Sequence, residues 1–312
     1  MAKYRFIQLD VFTNAVFAGN PLAVFPEAEG ISDEQMQQIA REMNLSETVY
    51  VLPPVDGRAL RRLRIFTPGR ELPMAGHPVV GTWNALAREG VVPIPEGGNG
   101  WSRIEHELGI GVLPVDIEFT DSSPSCVVMT QGKFEIIRDI DDISVRAEIE
   151  GALGLEPHEL DRSLPVQIAS TGIPFLLVPV RNLDALKACR MNASVLREIG
   201  LRIGSSECYA FTRETIDGGA SRAHARLFAP NLGISEDPAT GSAAGPLGAY
   251  LVHHGVLDLT PVDGSTHFVI EQGDFVKRSS RISIEIVGGP GAIEKVRVGG
   301  PSIVVAHGEL TF

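Results

Sequence analysis

The chain has 312 residues, 44% hydrophobic and 21% charged, which suits about two ordinary globular domains and neither a disordered nor a fibrous protein. Its formal net charge of −12 argues against a nucleic-acid binder, since displacing phosphate counterions needs a basic face. No stretch approaches the roughly 18 apolar residues of a membrane span. Lys3, Arg5 and Asp10 interrupt any apolar run in MAKYRFIQLD, so neither an anchor nor a secretory signal is expected, and the cytoplasm is the expected compartment.

Residues 4–12 alternate apolar and polar side chains as a strand does. A capping box follows at Ser32 and Gln35, after which Met36, Ile39, Ala40 and Met43 share one helical face until Asn44 can stop the helix. Residues 60–66 alternate again as a strand. A second helix is predicted to open at Gly76-His77-Pro78, with the proline in the first turn, and to run through VVGTWNALARE. The polar, glycine-bearing stretches EGGNGWSRIEHE (96–107) and TRETIDGGASRAH (212–224) are expected as surface loops. A last helix is predicted from Gly241-Ser242 through AAGPLGAYLVHHG.

The second half of the chain repeats the first. GNPLAVF (19–25) matches GIPFLLV (172–178) at an offset of 153, and SETVYV (46–51) matches SECYAF (206–211) at 160. RIFTP (64–68) matches RLFAP (226–230) at 162, and Glu71, Pro73 and Gly76 match Glu236, Pro238 and Gly241 at 165. Offsets that grow steadily in one order are what two diverged copies with small insertions leave behind. The expected fold is therefore α+β, in two homologous lobes of roughly residues 1–125 and 126–312, with a return of the last strand to the first lobe left open. The helices of the two copies are apolar on all sides and rich in small residues, so each lobe is expected to wrap a curved sheet around one central helix.

If the two helix N-termini faced one gap, their unpaired N–H groups and partial positive charge would suit an anion such as a substrate carboxylate. Gly76, Gly241 and Ser242 are the candidate binding positions. Glu47, His77 and Asp237 are the candidate acid–base groups, with Glu71 and Glu236 nearby. Glu47 falls between the helix stop and an apolar run, at the mouth of a strand, where desolvation by Leu45 and Val49 would suit it to act as a base near neutrality. Asp237 could instead cap a helix, and His77 could merely satisfy backbone groups.

GNPLAVF, REMNLSETVYVL, RIFTPGRELPMAGHPVVGT and EDPATGSAAGPLGAYL, in that order and over nearly the whole chain, resemble the PhzF-like family of phenazine-biosynthesis isomerases, relatives of diaminopimelate epimerase and proline racemase. The resemblance implies two pseudo-symmetric lobes, each a barrel-like mixed sheet around a central helix, with the active site in their cleft, a homodimer and no cofactor. It implies that Glu47 takes a proton from one substrate carbon and returns it to another, with His77, Asp237 and Ser242 around the substrate. In the phenazine enzyme that substrate is trans-2,3-dihydro-3-hydroxyanthranilate, whose C-3 hydrogen moves to C-1. Here Lys277 and Ser279 stand where phenazine enzymes tend to have Gly and Pro, and Gly132 where Pro is usual; these departures bear on substrate rather than chemistry.

The epimerase relatives use one cysteine per lobe, but Ala75 and Pro238 or Ala239 occupy those stretches here, which disfavours a two-thiol racemase. Cys126, Cys189 and Cys208 are widely spaced and odd in number, so neither a disulfide framework nor a zinc site is expected, and Cys208 is read as a buried structural thiol. His253 and His254 are adjacent and would face different ways, which does not suit a metal. Ser242 lies in TGSAAG, which lacks the spacing of a hydrolase nucleophile elbow. The competing readings are an epimerase of another small acid and a non-catalytic small-acid binder. Retention of Glu47 with His77 and Asp237 favours an enzyme, because a carboxylate binder gains nothing from two acids beside its ligand.

Overall fold

The computed structural model describes residues 2–312 and separates into two compact units. Unit 1 reaches to Thr130 and takes in Gly299–Phe312; unit 2 is Gln131–Val298. Among the described residues, no helix is long and apolar enough to cross a membrane.

Unit 1 runs β1 (Lys3–Val11), β2 (Asn20–Phe25), α1 (Asp33–Met43), β3 (Glu47–Leu52), β4 (Arg61–Phe66), β5 (Glu71–Leu72), α2 (Gly76–Arg88), β6 (Gly100–Leu108), β7 (Gly111–Thr120) and β8 (Ser123–Thr130). Unit 2 runs β9 (Glu135–Asp139), α3 (Ile143–Ala152), β10 (Gln167–Ser170), β11 (Pro174–Pro179), α4 (Leu183–Ala188), α5 (Ala193–Ile203), β12 (Cys208–Thr212), β13 (Ser221–Ala229), β14 (Ile234–Asp237), α6 (Gly241–His253), β15 (Ser265–Gln272) and β16 (Ser280–Gly289). β17 (Ala292–Gly300) follows, and β18 (Ser302–Thr311) then pairs antiparallel with β1 of unit 1.

The sequence repeat is a repeat of strand register. β2 and β3 are parallel with Ala23 opposite Thr48, and β11 and β12 are parallel with Leu176 opposite Cys208. β3 and β4 are antiparallel with Thr48 opposite Phe66, as β12 and β13 are with Cys208 opposite Phe228. Ile65 meets Leu72 across β4 and β5, and Leu227 meets Asp237 across β13 and β14. Each of these partners is the other's equivalent at the offsets read from the sequence.

Both repeated helices are buried as their all-round apolar sequences require. In α2 every residue from Gly76 to Ala87 is buried, and in α6 every residue from Gly241 to Val252 except the half-buried Ser242. The first packs against β1, β2, β3, β7, β8 and β18, the second against β10, β11 and β16. Glycine sets how closely strand and helix approach: a Cβ on Gly81 would lie 2.6 Å from Leu22 Cδ2, and one on Gly248 2.5 Å from Ile284 Cγ2. The first helix forms as predicted, with both hydrogen bonds of the Ser32–Gln35 capping box and Asn44 in the left-handed conformation at φ 49°. Met36, Ile39 and Ala40 face a core with Phe25, Tyr50 and Phe66. Cys189 and Cys208 lie in the core of unit 2, where burial pushes both thiols up, as a structural role requires.

Two polar braces are duplicated with the fold. Arg64 pairs with Glu71 in unit 1 at 2.7 Å, and Arg226 with Glu236 in unit 2 at 2.6 Å, each guanidinium also lying over the ring two residues on, Phe66 or Phe228. Glu71 and Glu236 are thus fixed as ion-pair partners of the turn that leads into each buried helix. Glu107 accepts from the Val55 and Asp56 amides, and Glu271 from those of Ile216 and Asp217, so one carboxylate per unit holds the loop facing it.

Of the two segments expected as surface loops, the first is largely strand and the second is mostly loop. Residues 100–107 belong to β6, and 221–224 open β13, leaving 213–220 as the loop. Their inward positions include His106 and His224, 1% and 0% exposed, so an alternation read with histidine as polar is hidden.

The two Arg–Glu pairs differ in depth: Arg226 and Glu236 are 6% and 11% exposed at the side chain, Arg64 and Glu71 14% and 42%. Arg226→Ala strands the deeper carboxylate and is expected to cost about 3–5 kcal/mol. Arg64→Ala costs clearly less, because water can solvate Glu71. Urea denaturation of both variants checks this, and equal losses would refute the account.

Candidate functional site

Unit 1 gathers three polar side chains at the starts of three elements. Asn20 opens β2, Glu47 opens β3, and His77 is the second residue of α2. The parallel pairing of β2 with β3 sets Leu22 opposite Glu47, which brings the two strand starts to one end of the sheet. His77 Nε2 lies 3.2 Å from Glu47 Oε2, with both side chains mostly buried. Asn20 Nδ2 donates to His77 Nδ1 at 3.3 Å. Nδ1 is thereby the acceptor, and the proton of the neutral ring sits on Nε2, facing the carboxylate.

Burial keeps that ring neutral: it pushes the His77 pKa from 6.5 down to about 3. Glu47 therefore has beside it an imidazole that stays neutral rather than a second titrating group. His77 meets the Asn20 side chain rather than the backbone groups that were its alternative reading. His106 is held likewise, its Nδ1 accepting from Trp83 Nε1 at 2.8 Å and burial lowering its pKa to about 4.

Unit 2 carries Asp237, Gly241 and Ser242. Asp237 ends β14 and is 6% exposed. It does not cap α6. The N-cap is Thr240, and the Thr240 hydroxyl, which would ordinarily cap the helix, donates instead to Asp237 Oδ2. Ala75, the N-cap of α2, has no side chain able to cap, so both repeated helices begin without a side-chain cap. The Asp237–Gly241 turn is held by Gln272, whose Nε2 donates to the Asp237 carbonyl at 2.8 Å and to Thr240 Oγ1 at 3.1 Å. Gln272 Oε1 accepts from Tyr209 at 2.8 Å and from the Thr240 amide at 3.1 Å. Gln131 donates to the Gly241 carbonyl at 2.9 Å.

Glu47 and His77 are thus brought into contact, and Asp237 stands with Thr240 at the start of the other repeated helix. Sequence reasoning passed over Asn20 and Thr240. A signal for Asn20 was present, since its equivalent in the second copy is Ile173 and a polar residue retained in one copy alone suggests a local task. Among the described residues, no three His, Cys, Asp or Glu side chains gather as metal ligands do.

Residues 9–308 match the family model of phenazine biosynthesis-like proteins. The chain belongs to this family. An uncharacterized isomerase of Clostridium acetobutylicum is 36% identical over 311 residues, 99% of each chain. The trans-2,3-dihydro-3-hydroxyanthranilate isomerase of Pseudomonas aeruginosa is 33% identical over 307 residues, 98% of each. The crystal structure of the Bacillus anthracis PhzF-family phenazine biosynthesis protein superimposes over 100% of both chains with a TM-score of 0.86 at 28% identity. In this PhzF-family chain the four motifs that carry the resemblance hold β2, the α1–β3 junction, the β4–α2 segment and the β14–α6 segment.

Two of the buried histidines, His77 and His106, make stability fall in acid. Above pH 6.5 they are neutral in both the folded and unfolded chains and contribute nothing. Below it the unfolded chain binds protons that the folded chain does not, until the folded values near 3 and 4 are reached. Each therefore removes up to about 1.4 kcal/mol per pH unit between about 6 and 4. Urea midpoints should fall over that range, and His106→Gln should flatten the slope; an unchanged slope would show that His106 is not held neutral.

Proposed function

We propose that this PhzF-family chain is a cofactor-independent isomerase in which Glu47 moves one proton between two carbons of a small carboxylic acid. The observation that carries the reading is the Glu47–His77 contact, with Asn20 fixing the tautomer: a mostly buried carboxylate beside a neutral imidazole N–H. Such a carboxylate accepts a proton from a C–H bond, becomes a carboxylic acid, and returns the same proton to another carbon, so no net charge or hydrogen is lost. The His77 ring lies against the carboxylate with its Nε2 3.2 Å from Glu47 Oε2, so its N–H is the polar group placed to orient the carboxylate while it is anionic. Because the ring stays neutral, it does not compete as an acid.

Asp237, with Thr240 donating to it, is the second polar group of the reaction, orienting the substrate or sharing its proton traffic. Gly76, Gly241 and Ser242 bind the substrate carboxylate through the helix starts that lack side-chain caps. The substrate best supported is trans-2,3-dihydro-3-hydroxyanthranilate, on which the Pseudomonas relative is named to act. The family resemblance also supports a homodimer, lobes of roughly 1–125 and 126–312, and a cytoplasmic location.

Incubation with trans-2,3-dihydro-3-hydroxyanthranilate in deuterated water tests the proposal. Turnover is expected, with Glu47→Gln losing about 10²–10⁴-fold in kcat, the usual worth of a positioned acid–base group. Turnover by Glu47→Gln at the parent rate would remove the proton-carrier role, and no turnover by the parent would remove this substrate.

A further inference from the structure

The connection between β1 and β2, residues 12–19, has no counterpart of its length in unit 2. The equivalent connection between β10 and β11 is residues 171–173. The two connections leave matching positions, since Asp10 is opposite Pro21 and Ser170 is opposite Pro174. The residue there ties its loop in both units. Ser170 Oγ accepts from the Gly172 amide at 2.9 Å, and Asp10 Oδ2 accepts from the Phe17 amide at 2.6 Å. The enlarged loop thus belongs to the copy that carries Glu47 and His77, and it is held by a carboxylate where the shorter loop has a hydroxyl.

The enlarged loop is fixed, yet it displays an aromatic ring. Phe12 N donates to the Pro301 carbonyl at 2.8 Å, and Ala15 N to Thr13 Oγ1 at 3.1 Å. Gly19 is so close to the strand that a Cβ would lie 2.3 Å from the Val11 carbonyl oxygen. Phe17 nevertheless is 72% exposed and sits at φ 66°, a left-handed conformation unfavourable for a bulky side chain. Exposure and strain coincide on a residue whose amide is gripped by an almost fully buried carboxylate, Asp10, 2% exposed. Backbone strain sustained by surrounding structure in this way is characteristic of functional positions.

The loop ends at Asn20, whose amide touches His77. Three residues of chain reach at most about 11 Å, so Phe17 is confined to the end of unit 1 that holds the dyad. We propose that Phe17 is a specificity-determining residue of the site, its ring a rigid apolar wall against the carbon skeleton of the substrate. It selects acids with a flat, unsaturated ring over compact, flexible ones. This deepens the Glu47 reading above and rests on it.

The experiment compares wild type, Phe17→Ala, Phe17→Tyr and the control Val55→Ala, another exposed apolar side chain. Steady-state kinetics are measured with trans-2,3-dihydro-3-hydroxyanthranilate, and thermal midpoints alongside. Loss of the ring's apolar contact is expected to lower kcat/KM by about ten- to a hundredfold in Phe17→Ala, chiefly through KM. Phe17→Tyr restores it, Val55→Ala matches wild type, and the alanine variant unfolds at or above the wild-type temperature. Unchanged kcat/KM in Phe17→Ala would overturn the specificity role while leaving the Glu47 mechanism intact, as would a loss that Phe17→Tyr does not recover. A wild type that does not turn the compound over removes this substrate, and with it the role assigned to Phe17, while the Glu47→Gln comparison decides the proton-carrier reading separately.

Discussion

Everything else in each unit follows from burying one helix on all sides. An exposed helix needs a single apolar stripe, but α2 and α6 present small and apolar residues all round, and a sheet must curl about such a helix to remove it from water. In α2, strands from both ends of unit 1 share that contact. Side-chain size is then constrained along the helix, which is why Gly81 and Gly248 stand where Leu22 and Ile284 press closest. The Arg–Glu braces stabilise the turn into each helix, so a buried helix start keeps a defined position despite lacking a side-chain cap.

The duplication also shows how one scaffold carries two different polar arrangements. At equivalent positions unit 1 has Asn20, Glu47 and His77, whereas unit 2 has Ile173, Glu207 and Ser242. Glu207 faces the hydroxyls of Ser205 and Ser206 at 3.5 Å, not an imidazole. Asp237, in turn, replaces Leu72. The backbone register is retained while Asn20, His77 and Asp237 each stand in one copy alone, so the copies share a fold but not its polar arrangement.

Much of this was legible in the sequence, and for physical reasons. The capping box, the all-apolar helices and the growing offsets of the repeat depend on local chemistry or on register, both of which leave periodic marks. β6 and the first residues of β13 were not legible, because His106 and His224 are buried by specific partners, Trp83 and Glu271, that lie far along the chain. Glu47, His77 and Asp237 stood out through their motifs. Asn20 and Thr240 did not, since their roles depend on which neighbour receives their hydrogen bond: His77 for the first, Asp237 rather than a helix amide for the second.

The antiparallel pairing of β18 with β1 sets an order in time. It runs from Lys3 opposite Thr311 to Val11 opposite Ser302, and Ala2 and Phe312 exchange backbone hydrogen bonds beyond it. During synthesis the ribosome releases all of Gln131–Val298 before the strand that covers the edge of β1. Unit 2 can therefore close while unit 1 still waits with an open edge, a state in which a strand is exposed to wrong partners. Lys3 and Arg5, charged side chains along that edge strand, make it a poor template for another chain until its own last strand arrives.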